Sequence, residues 1–396
     1  MAPLTLLRDA EVYAPQHLGR RDLLLGGGSI LAIEPRLPPP AFPGCEVLEL
    51  GGARVLPGLI DAHVHLTGGG GESGPSSRVP PVRLSALASA GITTAIGVLG
   101  TDGTTRTVAE LVAATLSLRE QGLSAWCWTG SYQVPPITLT GSVRSDITFV
   151  DPILGVGELA LSDHRSSQPT FDELARLAAD CHVAGLMSGK AGVLHLHLGD
   201  GPRGLELVRR VLETTELPGR VFYPTHVNRK TRLFSEALEL TARGCAIDVT
   251  AFPVEEGEDA YSAPDALERY LASSAPRHLI TVSSDGGGCL PTFDAEGRLS
   301  TMDVGRPGSV LECLQALLRR GRALEEVLPA FTSNVARALR LTSKGQLRVG
   351  ADADLLVLDG EDRVREVLAR GRFLVRGGAL AVRGTFEQES ETSVKS

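Results

Sequence analysis

Eight short apolar runs, separated by amphipathic stretches, fill the middle of the chain and leave few architectures open to it. The runs are VLPGLIDAHVHL (55–66), ITTAIGVLG (92–100), LSAWCWTG (123–130), ILGVGELALSD (153–163), GVLHLHLG (192–199), VFYPTHVN (221–228), CAIDVTAF (245–252) and LITVSSDG (279–286). Helical patterns such as TVAELVAATLSLREQG, FDELARLAADCHVAGLM and RLFSEALELTARG stand between them. Eight strands alternating with helices over about 280 residues predict an α/β chain built as a closed (β/α)8 TIM-like barrel, with its chemistry at the C-terminal ends of the strands.

The two ends of the chain read differently. TLLRDAEVYA, DLLLGGGSILAIEP and CEVLELGGARVLPG near the start, and DADLLVLD, RVREVLARGRFLVRGG and LAVRGTFE near the end, are short β-segments punctuated by glycine. Neither set alone has strands enough for a core, so both termini are expected to build one small β-sandwich domain from 1–57 and 344–387. The barrel then spans 58–343, and the polar segment 388–396 is expected to be a disordered tail.

Hydrophobic residues make up 42% of the 396 and aromatics only 4%, so the interior must be filled by Leu, Val, Ile and Ala. The net charge of -8, with no basic run, argues against nucleic acid as a partner. No apolar stretch is long enough to cross a membrane, and the N-terminal residues have no signal-peptide pattern, so a soluble, cytoplasmic protein without membrane partners is expected. The six cysteines are scattered and form no CxxC pair, which points to buried thiols rather than disulfides or a zinc knuckle.

Ligand-type residues close four of the runs. His63 and His65 end the first, and their spacing of two puts both imidazoles on one face. His197 ends the fifth, His226 the sixth and Asp285 the eighth, which predicts a metal site at the barrel mouth. His195 has the same parity as His197, so spacing does not choose between them; position nearest the strand end favours His197. Surface or helix roles suit His17, His182 and His278, and His164 is a candidate pocket neighbour. A dinuclear site needs a bridging anion, and Glu158 stands on the fourth run among apolar residues, where an unpaired charge would be costly. None of the four lysines (Lys190, Lys230, Lys344, Lys395) lies on that run.

With PGLIDAHVHL around His63 and His65, the later His197, His226 and Asp285, and GQLRVGADADLLVLD near the end, the chain resembles the amidohydrolase superfamily. HVHLTGGGGESGP, LGTDG, GSYQVP, TGSV, SDHRSS, PTHVNR and SSDG, in that order, give a closer resemblance to the bacterial isoaspartyl dipeptidases over nearly the whole chain. The resemblance implies two divalent ions of the zinc type per chain, held by His63, His65, His197, His226 and Asp285. It implies a small dipeptide as substrate and a homo-oligomeric assembly. Asp285 would act as general base and acid toward a metal-bridging hydroxide, and Tyr132 would polarise the scissile carbonyl, although a core role is open to this tyrosine. Glu72 would meet the substrate ammonium, Arg165 and Arg229 the carboxylates, and Gly70 and Thr101 would line the pocket. One acid and two arginines complement a molecule with one ammonium and two carboxylates. Two departures stand out: Glu158, after a one-residue insertion, replaces a carboxylated lysine, and Cys289 replaces a serine at the pocket. Rival readings are another amidohydrolase activity, either a cyclic-amide hydrolase or an N-acyl amino acid deacylase, and a catalytically silent assembly protein.

Overall fold

A computed structural model describes residues 4–38, 44–293 and 299–387; the tail 388–396 lies outside the described residues. The first five strands are β1 (Leu4–Tyr13), β2 (His17–Gly26), β3 (Ser29–Glu34), β4 (Cys45–Glu49) and β5 (Arg54–Pro57). The chain then alternates strand and helix through the middle: β6 (Leu59–Val64), α1 (Leu84–Ser89), β7 (Ile92–Gly97), α2 (Val108–Glu120), β8 (Ser124–Thr129), α3 (Val143–Phe149), β9 (Ile153–Leu161) and α4 (Phe171–Ser188). It continues with β10 (Val193–Leu198), α5 (Glu206–Thr214), β11 (Phe222–Thr225), α6 (Thr231–Thr241), β12 (Ile247–Thr250), α7 (Ala263–Ala272) and β13 (Ile280–Ser283). A hairpin, β14 (Cys289–Phe293) and β15 (Leu299–Val304), precedes α8 (Gly308–Arg319). Nothing in the sequence reading anticipated this hairpin.

Strands β6 to β11 pair in chain order as a parallel sheet, while β12 and β13 form a separate parallel ladder. The far side returns to the first strand, because Val64 bridges Gly286 in parallel and His65 N–H donates to the Gly286 carbonyl at 2.8 Å. Between β11 and β12 the links run through side chains: Thr225 Oγ1 donates to Asp248 Oδ2 at 2.7 Å, and Asn228 Nδ2 donates to the Thr250 carbonyl at 3.0 Å. The unbroken eight-strand ladder expected from the sequence is therefore a curled six-strand sheet plus a two-strand ladder among the described residues. Two physical reasons are visible: Pro224 removes a ladder donor from β11, and the buried Thr, Ser and Asp side chains of β11 to β13 bond to one another. Apolar side chains fill the space outside these strands. On α4, Leu174, Leu177, Ala178, Cys181 and Ala184 form one buried stripe, and Thr170 and Glu173 close its start with a reciprocal capping box.

Both termini meet in one nine-stranded sheet, among the described residues, in the order β19-β18-β17-β16-β5-β1-β2-β3 with β4 also on β1; here β16 is Leu355–Leu358, β17 Val364–Ala369, β18 Arg372–Arg376 and β19 Ala379–Leu380. The expected sandwich thus takes the form of a single hydrogen-bonded sheet. It curls, because Ser29 at the start of β3 bridges Asp352 just before β16, four strands away. Gly27 and Gly28 link β2 to β3 with φ of 61° and 84°, the pair of positive angles that a two-residue hairpin turn needs. Of LAVRGTFE only Leu380 enters a strand, as the second residue of β19; beyond it Glu387 turns back to accept from Ser85 N–H on α1. Lys344, buried, ties this sheet to the parallel sheet of β6 to β11 through Asp352 at 2.8 Å, Asp354 at 2.6 Å and Ser124 Oγ of β8 at 2.6 Å. Among the described residues, no helix is long and apolar enough to cross a membrane.

Candidate functional site

The ligand-type residues singled out from the sequence converge on Glu158. His63 Nε2 lies 3.3 Å and His197 Nδ1 3.3 Å from its Oε2, His226 Nε2 lies 3.6 Å from the same oxygen, and His65 Nε2 lies 3.5 Å from Oε1. Asp285 Oδ1 stands 3.0 Å from His65 Nε2 and 3.4 Å from His63 Nε2. All six are buried. His63, His65 and Asp285 offer one set of donor atoms within 4.8 Å of one another, and His63, Glu158 and His226 offer a second.

Several of these atoms have nothing to bond. His63 Nε2, both Glu158 oxygens and Asp285 Oδ1 are buried without a hydrogen-bond partner. Burial alone would raise the two carboxyls, but the surrounding histidines outweigh it and hold both well below the usual carboxylate range. Two buried carboxylates whose oxygens are left without hydrogen bonds are a costly arrangement that a bound cation would relieve. The mixed nitrogen and oxygen donor set suits divalent ions of the zinc type.

Local backbone features aim these side chains. Leu194 and Leu196 of β10 pair with Val156 and Leu159 of β9, so β9 carries one extra residue around Gly157–Glu158, where the resemblance implies an insertion. Such bulges re-aim a side chain beside a site. Gly157 has no room for a side chain, since a Cβ there would lie 2.7 Å from that of His195. His226 and Asp285 both take left-handed backbone angles, φ of 61° and 54°, a strained choice for such residues and one that clusters at functional sites. His226 is steadied by Thr250 Oγ1, 2.7 Å from its Nδ1.

His195 and His197, which spacing could not separate, occupy different depths. His197 borders Glu158, whereas His195 sits behind His63 with its Nε2 2.8 Å from His63 Nδ1 and its Nδ1 3.0 Å from the Tyr223 carbonyl. A carbonyl only accepts, so His195 carries its proton on Nδ1 and receives one from His63 Nδ1–H. His63 Nε2 is left facing Glu158 and Asp285; burial lowers this imidazole, but the two carboxylates outweigh it and hold it well above the usual imidazole range. Burial, with His63 adjacent, pushes His195 well below the usual imidazole range and keeps it neutral.

The rim holds the residues proposed for substrate. Glu72 Oε1 accepts from Thr101 Oγ1 at 3.0 Å and lies 3.4 Å from Arg165 Nη1. Arg165 Nη2 and Arg229 Nη1 each approach His197 Nε2 at 3.4 Å, so the two guanidinium groups flank that imidazole. Arg229 also donates to the Leu198 carbonyl at 2.8 Å. The Tyr132 hydroxyl donates to His197 Nδ1 at 2.8 Å. Burial and the nearby Glu158 push that hydroxyl well above its usual range, which keeps it a donor. Cys289 is half-buried, and burial, with Glu72 nearby, raises its thiol to about 11, so it is a neutral group. Gly70 lies in the loop after β6, beside Glu72.

Two rim residues were missed. Asp163 is buried between Arg165 and His197, and only its place in SDHRSS signals it. Arg106 is 1% exposed and spans two rim loops, donating to the carbonyls of Thr67 at 3.3 Å, Gly70 at 3.3 Å and Val79 at 3.2 Å. No periodic pattern marks it. Of the other histidines, His17 pairs with Glu11 and His182 with Arg220 at the surface, and His164 is 72% exposed beside Asp163. Lys190 is taken up by the Val150 carbonyl at 2.6 Å and Lys344 by its aspartates, while Lys395 lies outside the described residues.

Residues 81–375 match the amidohydrolase family. The chain is similar to a crystal structure of beta-aspartyl dipeptidase from the thermophilic, keratin-degrading Fervidobacterium islandicum AW-1 in complex with the beta-Asp-Leu dipeptide. That similarity is 39% identity with a TM-score of 0.91, covering 96% of this chain and 98% of the other. A second structure of the enzyme from the same organism gives 38% identity and a TM-score of 0.87, with 95% and 98% covered. An allantoinase of Streptomyces avermitilis is 24% identical, with 89% of this chain and 85% of the relative covered.

Proposed function

The chain belongs to the amidohydrolase family, and from that premise we propose that it hydrolyses isoaspartyl (β-aspartyl) dipeptides with a binuclear divalent-metal centre. On this reading the eight strands form one closed (β/α)8 barrel over 58–343, with the two termini as its accessory β-domain. The observation that carries the proposal is the juxtaposition of two charge patterns: a buried cluster of unpaired donors, and directly above it one acid and two arginines. The related Fervidobacterium islandicum enzyme, crystallised with beta-Asp-Leu, supports the same substrate class.

His63, His65, His197, His226 and Asp285 would hold two ions, zinc being our choice, with Glu158 between them. When bound, such ions supply Lewis acidity and make water a usable nucleophile near neutral pH. The Asp285 carboxylate takes the proton of the attacking water and returns it to the leaving amine. The Tyr132 hydroxyl donates to the carbonyl oxygen as negative charge develops there. Glu72, with Thr101 behind it, receives the α-ammonium of the substrate, and Arg165 and Arg229 receive its two carboxylates.

A hydrolysis panel tests this. Zinc-loaded protein should show a higher kcat/KM for isoaspartyl dipeptides than for α-aspartyl dipeptides, cyclic amides or N-acyl amino acids. Equal turnover of neutral amides would refute the pocket assignment.

A further inference from the structure

We propose that Asp163 is a positioning residue that couples the metal side of the site to its substrate side. The inference rests on the roles given above to His197 and Arg165. The Asp163 side chain is 4% exposed, and both of its oxygens are engaged. Oδ2 lies 3.0 Å from His197 Nε2 and 2.8 Å from Arg165 Nη2, while Oδ1 accepts from Arg165 Nε at 3.0 Å and from the Arg165 backbone N–H at 2.7 Å. Its own carbonyl is held by Gln168 Nε2 at 2.9 Å.

A carboxylate only accepts, so the proton of His197 must sit on Nε2. That leaves Nδ1 with the lone pair, which accepts from the Tyr132 hydroxyl at 2.8 Å and lies 3.3 Å from Glu158 Oε2. Carboxylates that receive the outer N–H of a ligating imidazole fix its tautomer and ring angle and raise its basicity. The same carboxylate grips Arg165 through two parallel N–H bonds, the geometry that best fixes a guanidinium plane. Arg165 is thereby stacked 5.4 Å over the Tyr132 ring, with its Nη1 3.4 Å from Glu72 Oε1. One side chain thus sets the lone pair offered to a metal and the direction of the cation offered to substrate. Metal occupancy and substrate affinity should fall together when it is altered.

The experiment compares Asp163→Asn with Arg165→Met in the full chain. Zinc affinity is read by chelator competition, and KM and kcat are read on an isoaspartyl dipeptide at saturating zinc. Asp163→Asn should weaken zinc binding roughly 10- to 100-fold and raise KM about tenfold or more through the loosened guanidinium. Arg165→Met should raise KM with zinc affinity unchanged. The double variant should have the KM of Arg165→Met alone, because Asp163 reaches substrate only through that arginine. Unchanged zinc affinity in a folded Asp163→Asn protein would overturn the proposal, as would an equal zinc loss in Arg165→Met. Should Asp163→Asn not fold, Asp163→Glu keeps the charge but moves it, and the same two readouts should shift in the same directions; wild-type values for both would overturn the proposal. The zinc measurement needs no substrate, so it tests Asp163 separately from the dipeptidase reading.

Discussion

Replacing Arg106 asks whether the rim is held in place from beneath. Its guanidinium joins the loop after β6, which carries Gly70 and Glu72, to the loop after β7, which carries Thr101 and Asp102. Arg106→Met keeps much of the volume and removes every donor. Asp102 is not orphaned by the change, since Thr104 N–H at 3.0 Å and Thr105 N–H at 2.7 Å still bond it. The cost falls on the three carbonyls that Arg106 serves at 3.2–3.3 Å. Their contacts are long, so the low end of the penalty for an unmet buried acceptor applies, about 1 kcal/mol each and about 3 kcal/mol together. Urea unfolding should show this loss with an unchanged m-value. Because Glu72 rides on the released loop, KM for an isoaspartyl dipeptide should rise about tenfold, the equivalent of one weakened charge-assisted contact. Bound metal should be unchanged, since the hydrogen bonds and ion pair of Arg106 go to Thr67, Gly70, Val79 and Asp102 and not to the six cluster residues. A variant within 0.5 kcal/mol of wild type, a flag of roughly the size seen for neutral surface changes, and with normal KM, would refute the reasoning.

Glu158→Gln removes the central anion while preserving shape, so elemental analysis should find about one ion fewer per chain and kcat should fall by orders of magnitude; wild-type activity should not respond to bicarbonate, and a sharp rise on adding it would point to a lysine carbamate instead. His195→Phe keeps the stacking on Trp128, now 5.2 Å between centroids, but leaves His63 Nδ1 without its acceptor. Zinc affinity should drop roughly tenfold, measured by chelator competition, and an unaltered affinity would remove His195 from the site.

What could be read from the sequence was what periodicity and residue type encode. Strand-end histidines are visible because a period of two fixes their face, and ordering along a strand favoured His197, which borders Glu158, over His195, which sits behind His63. The role of His195 was invisible, since it depends on a contact with His63 from a strand 132 residues earlier. Arg106 and Asp163 escaped for the same reason: a polar residue in a loop gains its meaning from carbonyls and imidazoles that only the fold brings to it. The break between β11 and β12 was hidden because runs such as CAIDVTAF look alike whether their polar atoms bond through main chain or side chain. The single curled sheet at the termini required pairings between β5 and β16, some 300 residues apart, that no local pattern reports.

On the proposed reading Glu158 stands where the resemblance implies a lysine carbamate, and one extra residue in β9 would make up for its shorter stem. A glutamate stem is several bonds shorter than a lysine carbamate, so a flat strand that suited the longer group would leave a carboxylate short of the histidines. Here β9 gains one residue against β10 between Val156 and Leu159, and the bulge falls on the residues that present the carboxylate. Its oxygens then stand 3.3–3.6 Å from nitrogens of four histidines contributed by three strands. Gly157, wedged against His195, lets the backbone come that close. Insertion, glycine and glutamate therefore form one unit, and deleting the extra residue while keeping Glu158 should withdraw the carboxylate and cost metal as surely as Glu158→Gln does. If a variant shortened by one residue at Gly155 to Gly157 folds and retains both ions, the bulge is not what delivers the carboxylate.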